Sequence, residues 1–332
     1  MKSICVLRGD GIGPEVIDCA IEVMDAVTDD LEFVYASIGN EAFRNKGSRL
    51  PEDTLQTMTE TDSCLFGAVT SASGPLYDSP VLRFRSELDL YANVRPVRDI
   101  AHRRDSAVDI LIVRENTEGL YTGHEVEVDE GVTTMRRVSQ RAVERIVTYA
   151  INLAEASGRG SICCVHKANV LRESDGLFLR EFRRAVAMKE GQLTASDQLV
   201  DSAAAKLVTS PEEFDVIVTL NLYGDILSDV AAAVVGGLGF APSGNIGPEH
   251  SVFEPAHGSA PDIAGRGVAN PTAAILSAGM MLNYLGMPDQ AAQIASAVSD
   301  AYRYGGRTID IGGSLGSRAF TEEVVRRAIE GG

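Results

Sequence analysis

Short runs of consecutive apolar residues alternate along the chain with stretches whose apolar positions recur every three or four residues. ICVL (4–7), LEFVYA (31–36), SCLFGAV (63–69), DILIVRE (109–115), SICCVHK (161–167) and FDVIVTL (214–220) have the length and apolar continuity of strands buried on both faces. Between them, residues 14–27 and RAVERIVTYAINLAEA (141–156) carry helical periodicity, the first opened by Pro14, where a missing N–H is harmless. This alternation predicts an α/β protein with a largely parallel sheet. One segment breaks the pattern: HEVEVDEGVTTMRRV (124–138) alternates polar and apolar residues. It predicts strands with one solvated face, or a ribbon that pairs with another chain, so residues 122–140 or so are expected to form a dimerisation arm.

With 332 residues the chain can bury two cores, and 45% hydrophobic with 23% charged residues excludes a mostly disordered chain. No apolar run approaches membrane-spanning length, and MKSICVLRGD begins as a buried strand without a signal peptide's layout. No membrane partner and a cytoplasmic location are expected. Acidic residues outnumber basic ones 47 to 30, a net charge of −17, which argues against a nucleic-acid partner. Cys5, Cys19, Cys64, Cys163 and Cys164 show neither C-x-x-C spacing nor an even count and are read as reduced core residues.

Three features carry candidate chemistry. RGDGIGPEV (8–16) follows a strand and opens a helix, but its glycines give G-x-G-x-G and not the dinucleotide fingerprint, so it reads first as a tight strand-to-helix turn and second as a cofactor contact. NLYGDILSDV (221–230) places Asp225 and Asp229 one helical turn apart, with a strand ending near Leu220 and a helix beginning near Gly224. Taken alone the pair reads first as a helix cap plus a solvated acid, and second as a cation site. Arg114 ends an apolar strand before ENTEG and suits bidentate carboxylate recognition. Arg83 reads as a surface ion-pair former, and Arg85 and Arg95 are open to either role.

The blocks GDGIGPEV, LYANVRP, VRENTEGLY, HKANV, NLYGDILSD and HGSAPDIAGRGVANPTAAILSA together resemble the β-decarboxylating dehydrogenases, the family of isocitrate, 3-isopropylmalate and homoisocitrate dehydrogenases. The likeness runs from residue 4 to beyond residue 310. It implies the isocitrate/isopropylmalate dehydrogenase fold and not a Rossmann fold: two α/β domains sharing a central sheet, residues 1–90 with 236–332 forming the first and 91–235 the second. It also implies a homodimer with shared active sites, or a higher assembly of it, acting on a small molecule.

The resemblance implies roles residue by residue. Arg85, Arg95 and Arg114 match the arginines that grip the two carboxylates of a 3-substituted malate. Asp225 and Asp229, with Asp201 from the partner subunit, match the ligands of Mg²⁺ or Mn²⁺, hard ions that suit hard oxygen donors. Lys167, also supplied across the dimer, matches the base for the C2 hydroxyl, and Tyr121 matches the acid that protonates C3 after CO₂ leaves. Glu254, His257, Gly258, Ser259, Ala260, Ile263 and Asn270 match cofactor contacts. Asp262 matches the acid that accepts the ribose hydroxyls of NAD and would repel a 2′-phosphate; NADP-using members carry lysine and tyrosine at the positions of Asp262 and Ile263.

For the C3 substituent the resemblance points to Ser79, Val81 and Leu82, with Asn169 and Val170 from the partner. Isocitrate dehydrogenases carry serine and asparagine at the positions of Ser79 and Val81. Val81, Leu82 and Val170 make an apolar pocket suited to an isopropyl group. The expected reaction is therefore oxidation of 3-isopropylmalate to 4-methyl-2-oxopentanoate and CO₂, as in leucine biosynthesis. Homoisocitrate is the alternative, then isocitrate: Ser79 is retained, Arg83 is one position from where a distal carboxylate would be met, and VTSASGPLYDSP (69–80) resembles archaeal homoisocitrate-type enzymes equally well. A non-catalytic regulatory subunit is disfavoured by the presence of Tyr121, Lys167 and the three aspartates.

Overall fold

The computed structural model describes residues 1–71, 78–103, 108–189, 191 and 193–331; positions 72–77 of the segment VTSASGPLYDSP lie outside the described residues. In chain order the elements are β1 (Lys2–Leu7), α1 (Gly13–Val27), β2 (Leu31–Tyr35), α2 (Gly39–Lys46), α3 (Glu52–Glu60), β3 (Ser63–Phe66), α4 (Pro80–Glu87), β4 (Ala92–Arg98), β5 (Asp109–Glu115), β6 (Glu125–Val128), β7 (Gly131–Thr134) and α5 (Gln140–Ala156). They continue as β8 (Ser161–His166), α6 (Ser174–Ala187), β9 (Thr194–Leu199), α7 (Val200–Thr209), β10 (Val216–Thr219), α8 (Asn221–Val235), β11 (Pro242–Ile246), β12 (Ser251–Pro255), α9 (Thr272–Tyr284), α10 (Pro288–Asp300) and α11 (Ser317–Gly331).

The chain divides into two compact units, one of residues 1–89, 99–105 and 235–332, the other of residues 90–98 and 106–234. In the first unit the strands run in the order β2-β1-β3-β12-β11, parallel from β2 to β12 and antiparallel between β12 and β11. Ile4 to Leu7 of β1 are fully buried, as a strand covered on both faces requires, and in the same unit α1, α9, α10 and α11 pack against one another, with α1 and α9 also on β3. All five cysteines are free and buried.

The glycine-rich opening is a tight turn with a specific packing partner. Gly11 has φ +60°, and a Cβ there would stand 1.9 Å from the Ser259 carbonyl oxygen. Ile12 N–H donates to that same oxygen at 2.8 Å, while the Asp10 carboxylate accepts from Asn40 N–H and Thr70 N–H, each at 2.9 Å. The glycines thus let the turn press against the segment that begins at His257.

In the second unit the order is β4-β5-β10-β8-β9, antiparallel between β4 and β5 and parallel thereafter. Val216 to Thr219 are buried throughout, which explains the unbroken VIVT run. The β6–β7 hairpin is exposed along its length, with Val126, Val128 and Val132 about half or more open to solvent.

Candidate active site

Pleating places the arginines. On β4, Asn93 and Arg95 point to one face because they are two residues apart, and the antiparallel register sets Arg114 of β5 opposite Asn93, on that same face. Over that face runs α8, carrying Asp225 and Asp229. The helix begins at Asn221, three residues before the expected start near Gly224, so Asp225 and Asp229 sit in its second and third turns, too far in to cap it. The reading of the pair as a cap is thereby removed.

What the acids do is partner guanidinium groups. Arg114 is 1% exposed; its Nη1 bonds Asp225, and its Nε and Nη2 donate to Asn221 Oδ1 at 3.0 and 2.7 Å. Arg95 donates to Ser228 Oγ at 2.6 Å and Asn93 Oδ1 at 2.7 Å, and lies 3.6 Å from Asp225 and 3.5 Å from Asp229. Tyr121 donates its hydroxyl to Asp225 beneath the Arg114 guanidinium, which stands 5.1 Å from the ring centroid. Burial, and then that bond, push the phenol above its ordinary pKa, so it is held as a neutral acid. Asp229 is also pushed up, chiefly by burial and further by the charge of Asp225, with Arg95 opposing.

Lys167, at the end of β8, pairs its Nζ with Asp201 at the start of α7, and holds Asp201 below the usual carboxylate range. Asn169 and Val170 follow it on an exposed turn, Val170 at 64% exposure.

In the other unit, Arg85 of α4 donates to Glu254 of β12 at 2.8 Å, both side chains about 10% exposed, and Arg85 Nε is buried with no hydrogen-bond partner among the described residues. Asn245 Nδ2 donates to the same Glu254 oxygen at 2.7 Å. Ser79 caps α4, accepting from Leu82 N–H at 3.4 Å; Val81 is half-buried and Leu82 exposed. Arg83 is engaged three ways, with Glu87 at 2.6 Å, the Leu50 carbonyl at 2.9 Å and Glu52 at 3.2 Å. His257, Gly258, Ser259, Ala260, Asp262 and Ile263 form one loop, with Asp262 exposed. Asn270 is fixed by Thr272 N–H and Asp310, each at 3.0 Å.

Two observations bear on a fit to cofactor and metal. His257 Nδ1 lies 3.0 Å from the Gly258 carbonyl and therefore acts as its donor, which leaves Nε2 an acceptor, buried and without a partner among the described residues. Burial lowers the pKa of this histidine and keeps it neutral. Such an acceptor would suit a hydroxyl or amino group of a bound nucleotide. Asp225 and Asp229 are hard oxygen donors one turn apart whose mutual repulsion a cation would relieve. Among the described residues no three His, Cys, Asp or Glu side chains come together as a metal site, so a cation on this pair would need to draw its other donors from elsewhere.

Sequence reasoning passed over Asn221, Ser228 and Asn93, which orient the arginines, and Gly224. Their one sequence signal is position: each falls within or beside a block that carries a candidate ligand.

The profile of the family described as isocitrate/isopropylmalate dehydrogenase matches residues 3–327. A 3-isopropylmalate/3-methylmalate dehydrogenase of Methanocaldococcus jannaschii is 47% identical over 99% of this chain and 100% of its own length. An isocitrate/homoisocitrate dehydrogenase of Thermus thermophilus is 49% identical over 97% of each chain. The crystal structure of isocitrate dehydrogenase from Methylococcus capsulatus superposes with a TM-score of 0.94 at 39% identity, covering 99% of this chain and 100% of that one. Arginines closing on paired acids, on a fold shared along the whole length with enzymes named for isocitrate, homoisocitrate and 3-isopropylmalate, place the chain in the isocitrate/isopropylmalate dehydrogenase family, the β-decarboxylating dehydrogenases.

Proposed function

We propose that the protein catalyses NAD-dependent, metal-requiring oxidative decarboxylation of a 3-substituted malate, with 3-isopropylmalate as substrate. The observation that carries the reaction is the meeting of Arg95, Arg114 and Tyr121 on Asp225 and Asp229. Arg95 and Arg114 give up one acid partner each to bind the substrate carboxylates, with Arg85, whose unpartnered Nε offers a further donor, as the third. The partner's Lys167 takes the proton of the C2 hydroxyl, and once CO₂ has left, Tyr121 delivers a proton to C3. A bound nicotinamide would accept the C2 hydride, and a bound divalent cation on Asp225, Asp229 and the partner's Asp201 would stabilise negative charge on the C2 oxygen.

The choice of substrate is supported by Arg83. Its three bonds to Glu87, Leu50 and Glu52 leave it committed within its own unit, so it is a poor candidate for the distal carboxylate of homoisocitrate. Homoisocitrate stands as the second reading because of the Thermus thermophilus relative. The choice of cofactor is supported by exposed Asp262 with Ile263, where a 2′-phosphate would meet a carboxylate.

The test is one panel: isopropylmalate, homoisocitrate, isocitrate, D-malate and tartrate with Mg²⁺ or Mn²⁺, read by NADH absorbance. Isopropylmalate should give the highest kcat/KM; a higher value for homoisocitrate transfers the assignment to it, and no turnover of any of them refutes the reaction. NAD should be preferred over NADP by about a hundredfold, and Asp262→Lys with Ile263→Tyr should move that ratio toward NADP.

A further inference from the structure

The loop that carries Lys167 is held by side chains that the reaction itself does not use. Lys167 N–H donates to Asp175 Oδ2 at 2.7 Å, and the next amide, Ala168 N–H, donates to His166 Nδ1 at 3.0 Å. That bond sets the histidine tautomer, leaving Nε2–H to face Asp197 at 3.3 Å, and Asp197 is in turn bonded by Arg183 at 2.9 Å. Two successive peptide planes are thereby fixed, and with them the direction in which the Lys167 side chain leaves the backbone. Val170 and Leu171 N–H both return to the Lys167 carbonyl, at 3.0 and 2.9 Å, closing the turn.

Asp175 stands out in this set. It is completely buried at the start of α6, and a buried carboxylate persists only where its oxygens are matched. One oxygen takes the Lys167 amide; the other takes Arg136, which follows the exposed hairpin directly. Arg136 also bonds Ser174 Oγ at 3.3 Å and lies over the ring of Tyr223 at 5.1 Å, on α8 two residues before Asp225. One charge therefore joins the lysine loop, the foot of the hairpin and the first turn of α8.

We propose that Asp175, held by Arg136, is a positioning residue for Lys167, fixing the direction in which the lysine leaves its own subunit's backbone toward the site it serves. The inference rests on Lys167 being the base of the proposed reaction. Loss of the Asp175 charge frees the amide and leaves Arg136 without its counter-ion, so the lysine is still present but no longer aimed.

The experiment is a double-mutant cycle in the full-length protein, with the malate that gives the fastest NADH formation. Asp175→Asn should lower kcat by about 10- to 100-fold with KM changed by less than about threefold, because the lysine is present but misdirected while the substrate-binding arginines are untouched. In a Lys167→Ala background the same change should lower the residual rate by no more than about twofold, since the two act through one group. An undiminished effect in that background, or wild-type kcat in Asp175→Asn, overturns the proposal. Full activity of Lys167→Ala on its own refutes the base assignment first, and the proposal with it. Should Asp175→Asn not fold, as judged by circular dichroism, Arg136→Gln and Arg136→Lys take its place. The glutamine variant should show the same kcat loss and the lysine variant recover most of it; wild-type kcat in both overturns the proposal.

Discussion

Gly224 shows how much of a site can hang on a side chain that is absent. A Cβ at this position of α8 would fall 2.6 Å from Arg114 Cγ and 2.7 Å from its Cβ, so the helix can lie against the arginine stem only because nothing projects there. Alanine favours a helix interior by about 1 kcal/mol, but overpacking costs about 1–3 kcal/mol and must be relieved by moving Arg114. Gly224→Ala should therefore lower kcat/KM by about a hundredfold while Tm falls by only a few degrees. Unaltered kinetics would show that Arg114 is not held for substrate. Single residues of this kind are illegible beforehand, because Gly224 acquires its meaning from a strand over a hundred positions away. Asp225 and Asp229 were legible as a pair, since their spacing alone puts them on one helical face. Their depth in the helix was not, because Gly224 offers the more obvious break and nothing in NLY marks a start one turn earlier.

At the level of elements, the start of the second unit's strands is tied by one arginine. Arg159, after α5, donates to Asp109 Oδ1 at 2.6 Å, to the Asp109 carbonyl at 2.9 Å and to Asp215 at 2.9 Å, while Asp215 accepts from Gly160 and Ser161 N–H. β5, β8 and β10 are aligned by this knot, and Arg98 adds β4 through Asp109 at 3.1 Å. Arg159→Met should cost about 1–2 kcal/mol, reduced by the partial exposure of Asp109. Burial would raise the Asp109 pKa, but the bonds from Arg159 and Arg98 hold it below the ordinary value. Its contribution is therefore present above about pH 4 and lost as pH falls through the lower folded value. Tm measured against pH should show wild type and variant converging below pH 4; a constant gap would mean that Asp109 is not the coupled group. Strands such as β5 and β10 were readable from apolar runs. β9 was not, since TASDQL is largely exposed at an edge, and neither were β11 and β12, whose PSGNI and SVFEP contain the residues that usually mark turns.

For the whole molecule, Lys167 bonds Asp201 while Tyr121 bonds Asp225, and the proposed function assigns the first pair to the neighbouring subunit's site. Mixed Lys167→Ala and Tyr121→Phe subunits should then regain roughly a quarter of wild-type activity, since random pairing makes about half the dimers mixed, each with one intact site of two. No recovery, with heterodimers shown by mass spectrometry, would place both residues in one subunit's site. The way the chain is divided has a further consequence, for its birth on the ribosome. The first unit is interrupted: β3 waits for β12, and α1 for α9 and α11, until the intervening segment has been made. At ordinary elongation rates this wait lasts about 10–30 s, during which the nascent amino-terminal portion has a strand edge and an apolar helix face uncovered. The later-made middle of the chain can fold before the earlier-made beginning. A chain stopped at Val234 should accordingly protect the amides of residues 108–234 against hydrogen exchange while those of the first 89 stay open, and the newborn amino terminus is where a holding chaperone would be needed.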